Sequence, residues 1–423
     1  MLIPNYLIYP FGIVNRKLLK EGLAALFGLI VLSASPLWAE EPGITDKTIR
    51  IGSTLVLKGD AQAIGQGVKQ GIEAAFAGEH VQGRTLEFVA LNDFYDPATT
   101  PKAVQQLVDQ GIFLMLGSTG TPTARAALPI LAEHHIPAVG FITGAGFKEP
   151  GDILNFRASY VQEVTKAIEA ALEAGIKPNE LCAYVQNDAY GMTGIQGLRQ
   201  VLAKQSSMDK VVAILDQILA MQGPAPARNN LGPVGVYQRD TLSAREGYKS
   251  LKDWEAASSS RCRFVVTIGL PVTVAQFIGY TRYKGEGWIF SVASPGGGAG
   301  LKAELDKVKV TDGVVITQIV PALDSALPIV EAARKPLGKD LNDASLEGYI
   351  IGRMVLEIMR NISGPLTREN FLKAARSRVY DLGGLKIDFS NGNQGSDFVL
   401  LTYLNGGNYQ AIAPEQLKQV LKK

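Results

Sequence analysis

The chain alternates short β-rich runs with stretches of helical spacing, and it does so twice over. That rhythm admits few folds, because parallel strands need a crossover between them and a helix supplies it. Residues 49–57 read as a first strand, and 64–77 then set Ile64, Val68, Ile72 and Ala75 on one helical face. A second strand at 86–91 ends in Asn92-Asp-Phe-Tyr-Asp-Pro97. Asp96 before Pro97 predicts a helix start, since a carboxylate caps free N–H groups and proline suits a first turn. That helix runs to Gln110, and Gly111 ends it. Strands at 112–116 and 137–142 flank a helix over 123–133, completing one doubly wound unit.

The pattern then restarts. Helical spacing over 162–174 precedes a strand at 181–186, then 191–203 is helical and 211–219 reads as strand. Further strands are expected at 264–269, 288–292 and 313–318. A Pro-, Gly- and Asn-rich stretch from Gln222 to Gly235 reads as a long loop. Helices follow at 345–360 and 368–377, and the chain closes with 385–389 and 398–403, a hairpin joined by Asn391-Gly-Asn-Gln-Gly395. Two similar halves of about 150 residues each predict a bilobal α/β protein built on two doubly wound parallel sheets.

The N-terminus is different. Arg16, Lys17 and Lys20 precede an apolar stretch from Leu23 to Val31, then Ser33-Ala-Ser-Pro-Leu-Trp-Ala39. A basic segment, a short apolar core and a small residue before the cut predict a secretory signal over 1–39. An uncleaved anchor is the alternative, kept open by the long basic segment and by Leu37, which is larger than the residue usual two before the cut. The apolar run is short for a bilayer span. No cysteine follows it, which argues against a lipoprotein anchor. Cleavage after Ala39 removes three basic residues and one acidic one, leaving 384 residues with 39 basic and 39 acidic side chains. Balanced charge makes nucleic acid a poor partner. No later window holds 18 consecutive apolar residues, so no span is expected there.

In open α/β sheets, ligands sit at the carboxyl ends of strands, near helix N-termini. Three loops at such places combine glycine with hydroxyl or polar residues: 117–123, 143–146 and 187–191. Pro122 at a first helical position leaves Thr121 as the N-cap. Backbone N–H groups and threonine hydroxyls then converge on an anion such as a carboxylate. Tyr190 projects from the facing half. Each loop alone could be a turn that merely satisfies a helix end; their recurrence at equivalent strand ends of two halves favours a ligand cleft.

Signals for catalysis are weak. His80, His134 and His135 are the only histidines, and the adjacent pair cannot share a metal on one helical face. Gly65-Gln-Gly67 with Gly71 comes near a dinucleotide loop, but its spacing is wrong and it falls within a helical run. Nucleophile-elbow, phosphate-loop and zinc-protease motifs do not occur. Asp93 and Asp96 are most simply read as helix capping. The expectation is binding without chemistry: no enzyme, no cofactor and no metal.

From Ile49 onward the chain resembles the type I periplasmic solute-binding proteins of the branched-chain amino-acid (Leu/Ile/Val-binding) ABC transporter class. The segments that carry the resemblance are Gly59-Asp-Ala-Gln-Ala-Ile-Gly65 with Gly71, then 92–97, 117–123, 136–146 and 187–191. It implies two lobes joined by a three-strand hinge and closing on a ligand. Lobe one would hold 44–158 and 319–380, and lobe two 159–318 and 381–423. The resemblance further implies that the loop of Thr121 and the loop of Gly144 and Gly146 clamp a ligand carboxylate. Thr119 and Thr143 stand in the same two loops, and Tyr190 closes from the other lobe.

The sequence also departs from that class. Gly146 stands where Thr or Ser is usual, Leu270 where an aromatic is common, and Lys58-Gly-Asp60 replaces a Ser-Gly-Pro turn. Val292 and Ala293 offer no carboxylate where an acidic residue usually pairs with an α-amino group. A buried ammonium without a partner is costly. The implied ligand is therefore an amino acid held differently, or an acid or amide without an amine. The implied role is a monomeric periplasmic receptor that delivers a small carboxylate-bearing solute to an inner-membrane ABC permease. A free-standing periplasmic sensor of the same fold, signalling to a membrane partner, is the alternative.

Cys182 and Cys262 are the only cysteines. In a doubly wound order 2-1-3, the strands they begin are neighbours, about 4.8 Å apart. That suits a structural disulfide in an oxidising compartment. Two separate buried thiols remain the other reading.

Overall fold

A computed structural model of the protein describes residues 41–147, 152–223, 225–294 and 297–420. The signal segment expected at 1–39 lies outside the described residues. The first sheet comprises β1 (Thr48–Leu55), β2 (His80–Val81), β3 (Arg84–Asn92), β4 (Leu114–Leu116), β5 (Ala138–Val139) and β6 (Ile153–Leu154), in the order β2-β3-β1-β4-β5-β6. All its pairs are parallel except the β2–β3 hairpin. Helices α1 (Gln62–Phe76), α2 (Thr100–Asp109) and α3 (Thr121–Glu133) are its crossovers.

The second lobe opens with α4 (Tyr160–Glu173), where Ser159 and Gln162 form a reciprocal cap. It continues through β7 (Leu181–Gln186), α5 (Ala189–Leu202), α6 (Asp209–Ala220), β8 (Val234–Tyr237), α7 (Arg245–Ser258) and β9 (Phe264–Ile268). Next come α8 (Pro271–Tyr283), β10 (Ile289–Val292), α9 (Gly298–Lys307) and β11 (Val314–Gln318). The chain then returns to the first lobe for α10 (Pro328–Leu337), α11 (Asp343–Arg360), α12 (Arg368–Arg376) and a short pair, β12 (Tyr380–Asp381) with β13 (Lys386–Ile387). It ends in the second lobe with β14 (Leu400–Asn405), β15 (Asn408–Ala411) and α13 (Pro414–Val420). The second sheet runs β15-β14-β11-β10-β9-β7-β8, parallel apart from β14 and β15.

Helix α11 packs on α1 at glycines. A Cβ on Gly71 would lie 2.0 Å from the Ser345 carbonyl oxygen, and one on Gly348 would lie 2.3 Å from that of Val68. Of the glycines that approximate a dinucleotide loop, Gly65 lies against the Val56 backbone, whereas Gly67 and Gly71 face α11. That contact sets the N-terminus of α11 beside the cleft.

Three crossings join the lobes. Ala158 packs in the first core and Tyr160 in the second; Val315 lies in the second and Ile319 in the first. Val399 lies in the first and Leu401 in the second. The last crossing therefore differs from the one expected after 380, because Leu382, Leu385, Ile387 and Phe389 bury their side chains in the first core.

Other expectations also change. Residues 211–219 form part of helix α6, not a strand: Val211, Leu215 and Ile218 recur at helical spacing, and only Leu215 and Ile218 of the helix are buried. The terminal hairpin does not form, since β13 pairs with β12 and β14 with β11 and β15. Helix α2 begins at Thr100, because Asp96 first closes a turn by accepting from the Ala98 N–H at 2.9 Å. Among the described residues, no helix is long and apolar enough to cross a membrane. Cys182 and Cys262 are joined in a disulfide with Cα atoms 5.7 Å apart, at the amino ends of neighbouring strands.

Candidate functional site: a cleft between the lobes

The carboxyl ends of β1 and β4 carry the first wall of a small cleft. Thr119 is buried there, and its hydroxyl accepts from the Val56 N–H at 3.0 Å, pinning the end of β1. Gly120 (φ +97°) takes the cap position of α3, and Thr121 is the first helical residue rather than the cap. Its hydroxyl lies 2.7 Å from that of Thr143. The first-turn N–H groups of Thr121 and Thr123 have no acceptor within the helix, and the helix dipole makes such a terminus favourable to anions.

The second lobe supplies the facing wall. Asp188 caps α5 by accepting from the Tyr190 and Gly191 N–H groups at 2.9 and 3.3 Å. This fixes Tyr190 in the first turn, its ring 5.0 Å from that of Tyr160. Burial pushes the Tyr95 and Tyr190 phenols well above their ordinary range, so both are neutral donors. The cleft is lined by Val56, Ala61, Ile64, Tyr95, Thr119, Gly120 and Thr121 from one lobe, and by Tyr160, Tyr190 and Leu270 from the other.

The structure therefore brings Thr119, Thr121 and Tyr190 to one cleft. Thr143 stands behind Thr121. Gly144 and Gly146 are not among the lining residues: Gly144 lies against Tyr160, whose N–H donates to its carbonyl at 2.7 Å. Gly146 has φ +65°, a conformation in which a hydroxyl-bearing residue would be strained. A hydrogen bond also spans the lobes: Gln186 Nε2 donates to the Tyr95 hydroxyl at 3.2 Å, and within the second lobe the Tyr237 hydroxyl donates to Gln186 Oε1 at 3.2 Å.

Beside the crossings lies a buried ionic cluster that the sequence reading missed. Arg157 Nη2 lies 3.4 Å from Glu163 Oε1, and Arg157 Nη1 lies 3.3 Å from Glu347 Oε1. Glu163 also accepts from the Ser294 N–H at 2.9 Å and from the Thr317 hydroxyl at 2.6 Å. Ser294 follows the Val292-Ala293 pair in which no carboxylate was found, and the carboxylate arrives instead from α4. Burial pushes the Glu163 carboxyl upward against the opposing pull of Arg157. For Arg157, burial works against the charge, but Glu347, Tyr160 and Glu163 outweigh it and raise its pKa.

A larger chamber, about 1020 Å³ counting solvent at its opening, adjoins this cluster. It shares Ala61 and Ile64 with the small cleft and is otherwise lined by residues of both lobes, including Ser294, Thr317, Gln318, Asp343 and Glu347. A usable signal for Glu347 was a carboxylate set inside the apolar run 346–351 of α11.

The comparisons with known proteins agree with this architecture. A family described as periplasmic binding protein matches residues 48–213. Comparison with curated proteins gives no match. Among solved structures, a possible leucine/isoleucine/valine-binding protein from Rhodopirellula baltica SH 1 is 28% identical, with TM-score 0.76 over 88% of this chain and 98% of its own. A fatty acid ABC transporter substrate-binding protein from Thermomonospora curvata is 18% identical, with TM-score 0.69 over 88% of this chain and 93% of its own. A branched chain amino acid ABC transporter protein from Thermus thermophilus with bound valine is 17% identical, with TM-score 0.68 over 88% and 96%. The chain has the type I periplasmic binding protein fold, and the resemblance to the branched-chain amino-acid binding class read from its loops is borne out by the family match and by the Rhodopirellula baltica structure.

Proposed function

We propose that the protein is the periplasmic substrate-binding component of an ABC transporter, which captures a small carboxylate-bearing solute by closing its two lobes. The observation that carries this reading is the cleft lined by Thr119 and Thr121 from one lobe and by Tyr190 from the other. Thr121 and the first-turn N–H groups of α3 receive the carboxylate, Thr143 orients Thr121, and Tyr190 covers the ligand. The three crossings between cores are the hinge. The binding proteins it resembles support a solute rather than a reaction, and an inner-membrane permease as the recipient. On this reading the protein acts as a monomer in the periplasm.

An unbiased solute screen by thermal shift tests it, because a ligand that binds only the folded state raises the melting temperature. Small-angle scattering with the best solute should show a smaller radius of gyration, since ligand selects the closed state. A screen without a stabilising solute, or an unchanged radius at saturation, counts against a closing receptor.

A further inference from the structure

Glu347 is 5% exposed, and among the described residues its Oε1 accepts no hydrogen bond and has the Arg157 guanidinium as its close partner. Arg157 is already engaged by Glu163, which Ser294 and Thr317 also hold. Asp343, one helical turn before Glu347 on the same face of α11, accepts only from Gln318 Nε2, at 3.0 Å. Glu163 and Glu347 thus share one guanidinium, and Asp343 adds a third buried carboxyl beside Glu347 with no cation of its own among the described residues, an arrangement that burial makes costly. Both Asp343 and Glu347 line the larger chamber. Asp60 and Glu304 line it too, and none of its described lining residues is basic.

Such a chamber is complementary to a cation. The threonine loop lines the small cleft, and the α11 carboxylates line the chamber; the two spaces have only Ala61 and Ile64 in common. A ligand that reached past Ala61 and Ile64 from one space to the other would carry its anion and its cation at separate ends. We propose that Asp343 and Glu347 form a subsite for a protonated amine, and that the protein prefers a solute whose amine is separated from its carboxylate by a short alkyl chain. This rests on the solute-binding reading above. Each amine N–H would meet a carboxylate oxygen, relieving the imbalance around Arg157.

The test uses matched probes on the purified protein at pH 7.5: 4-aminobutanoate and 6-aminohexanoate against butanoate and hexanoate, with hexylamine and L-leucine alongside. Calorimetry should show one of the two ω-amino acids binding about 10- to 100-fold more tightly than its amine-free partner and than L-leucine. Hexylamine should bind as well. Asp343→Asn and Glu347→Gln should each erase most of that gain while leaving butanoate and hexanoate unchanged. Equal binding of acid and ω-amino acid overturns the proposal, as does silence from both ω-amino acids and hexylamine, or L-leucine binding as tightly. The wild-type comparison stands even where a variant fails to fold. A screened solute that lacks an amine, binds more tightly than either ω-amino acid and closes the lobes sinks this inference alone, whereas a screen without any ligand sinks the receptor reading.

Discussion

Arg239, which follows β8 in the second lobe, donates through Nη1 to the carbonyl oxygen of Tyr95 in the first lobe at 2.9 Å. The same guanidinium comes within 4.0 Å of Asp96 Oδ1. Its side chain is a quarter exposed, so solvent screens the ion pair and the hydrogen bond is the larger contribution. Arg239→Ala should therefore loosen the closed arrangement and weaken solute binding by about 5-fold, on the order of 1 kcal/mol. Scattering of the variant without solute should give a larger radius of gyration than wild type. An identical radius and identical affinity would mean that the contact does not hold the lobes together.

The Thr121 and Thr143 hydroxyls share one hydrogen bond inside the first lobe. Replacing Thr121 by valine removes the proposed ligand contact and leaves the buried Thr143 hydroxyl with the Ala145 N–H, at 3.2 Å, as its remaining partner. Binding of a carboxylate solute should fall about 10- to 100-fold, and esterifying the solute should abolish it. Thr121→Ser keeps the hydroxyl and should bind within a few-fold of wild type. Calorimetry that finds no loss in Thr121→Val would remove this residue from the site.

Where local pattern and tertiary packing agree, the sequence was readable. The alternation of 49–57, 64–77 and 86–91 became β1, α1 and β3, because each strand alone could form only one buried layer of a parallel sheet. Residues 211–219 misled because their β-branched content suggests a strand, whereas Leu215 and Ile218 at helical spacing decide which face is buried. The Thr119, Thr121 and Tyr190 loops were legible because strand ends and helix starts are local features. Arg157, Glu163, Asp343 and Glu347 were not. They come from two stretches far apart in sequence, 157–163 and 343–347, which meet only where the chain crosses between lobes.

The Cys182–Cys262 bond closes a long stretch, with the two residues 80 apart in sequence. It lies at the amino ends of β7 and β9, while the cleft lies at the carboxyl ends. Its loss should cost stability without touching binding. Replacing both cysteines by alanine should destabilise the protein by about 2–4 kcal/mol, seen as a lower denaturant midpoint, with solute affinity unchanged. Intact mass after denaturing alkylation should show no modified thiol in wild type; two alkylated cysteines would contradict the bond.

Stability should respond to pH in the direction opposite to that of a salt-bridged carboxylate. Burial pushes Glu347 from its ordinary 4.5 to about 7, against the pull of Arg157 and with help from the Glu163 and Asp343 charges. Burial likewise takes Asp343 from 3.8 to about 6, with Gln318 opposing. Between the ordinary and folded values, the folded protein keeps protons that the unfolded chain has released. Stability from these groups is present at low pH and is lost as pH rises through about 6 to 7. The unfolding free energy should be larger at pH 5.5 than at pH 7.5 by an amount on the order of 2 kcal/mol, seen as a higher denaturant midpoint. Glu347→Gln, which cannot ionise, should flatten that difference. A wild-type midpoint that does not fall between pH 5.5 and 7.5 would show that both α11 carboxyls are already ionised in the folded protein across that range.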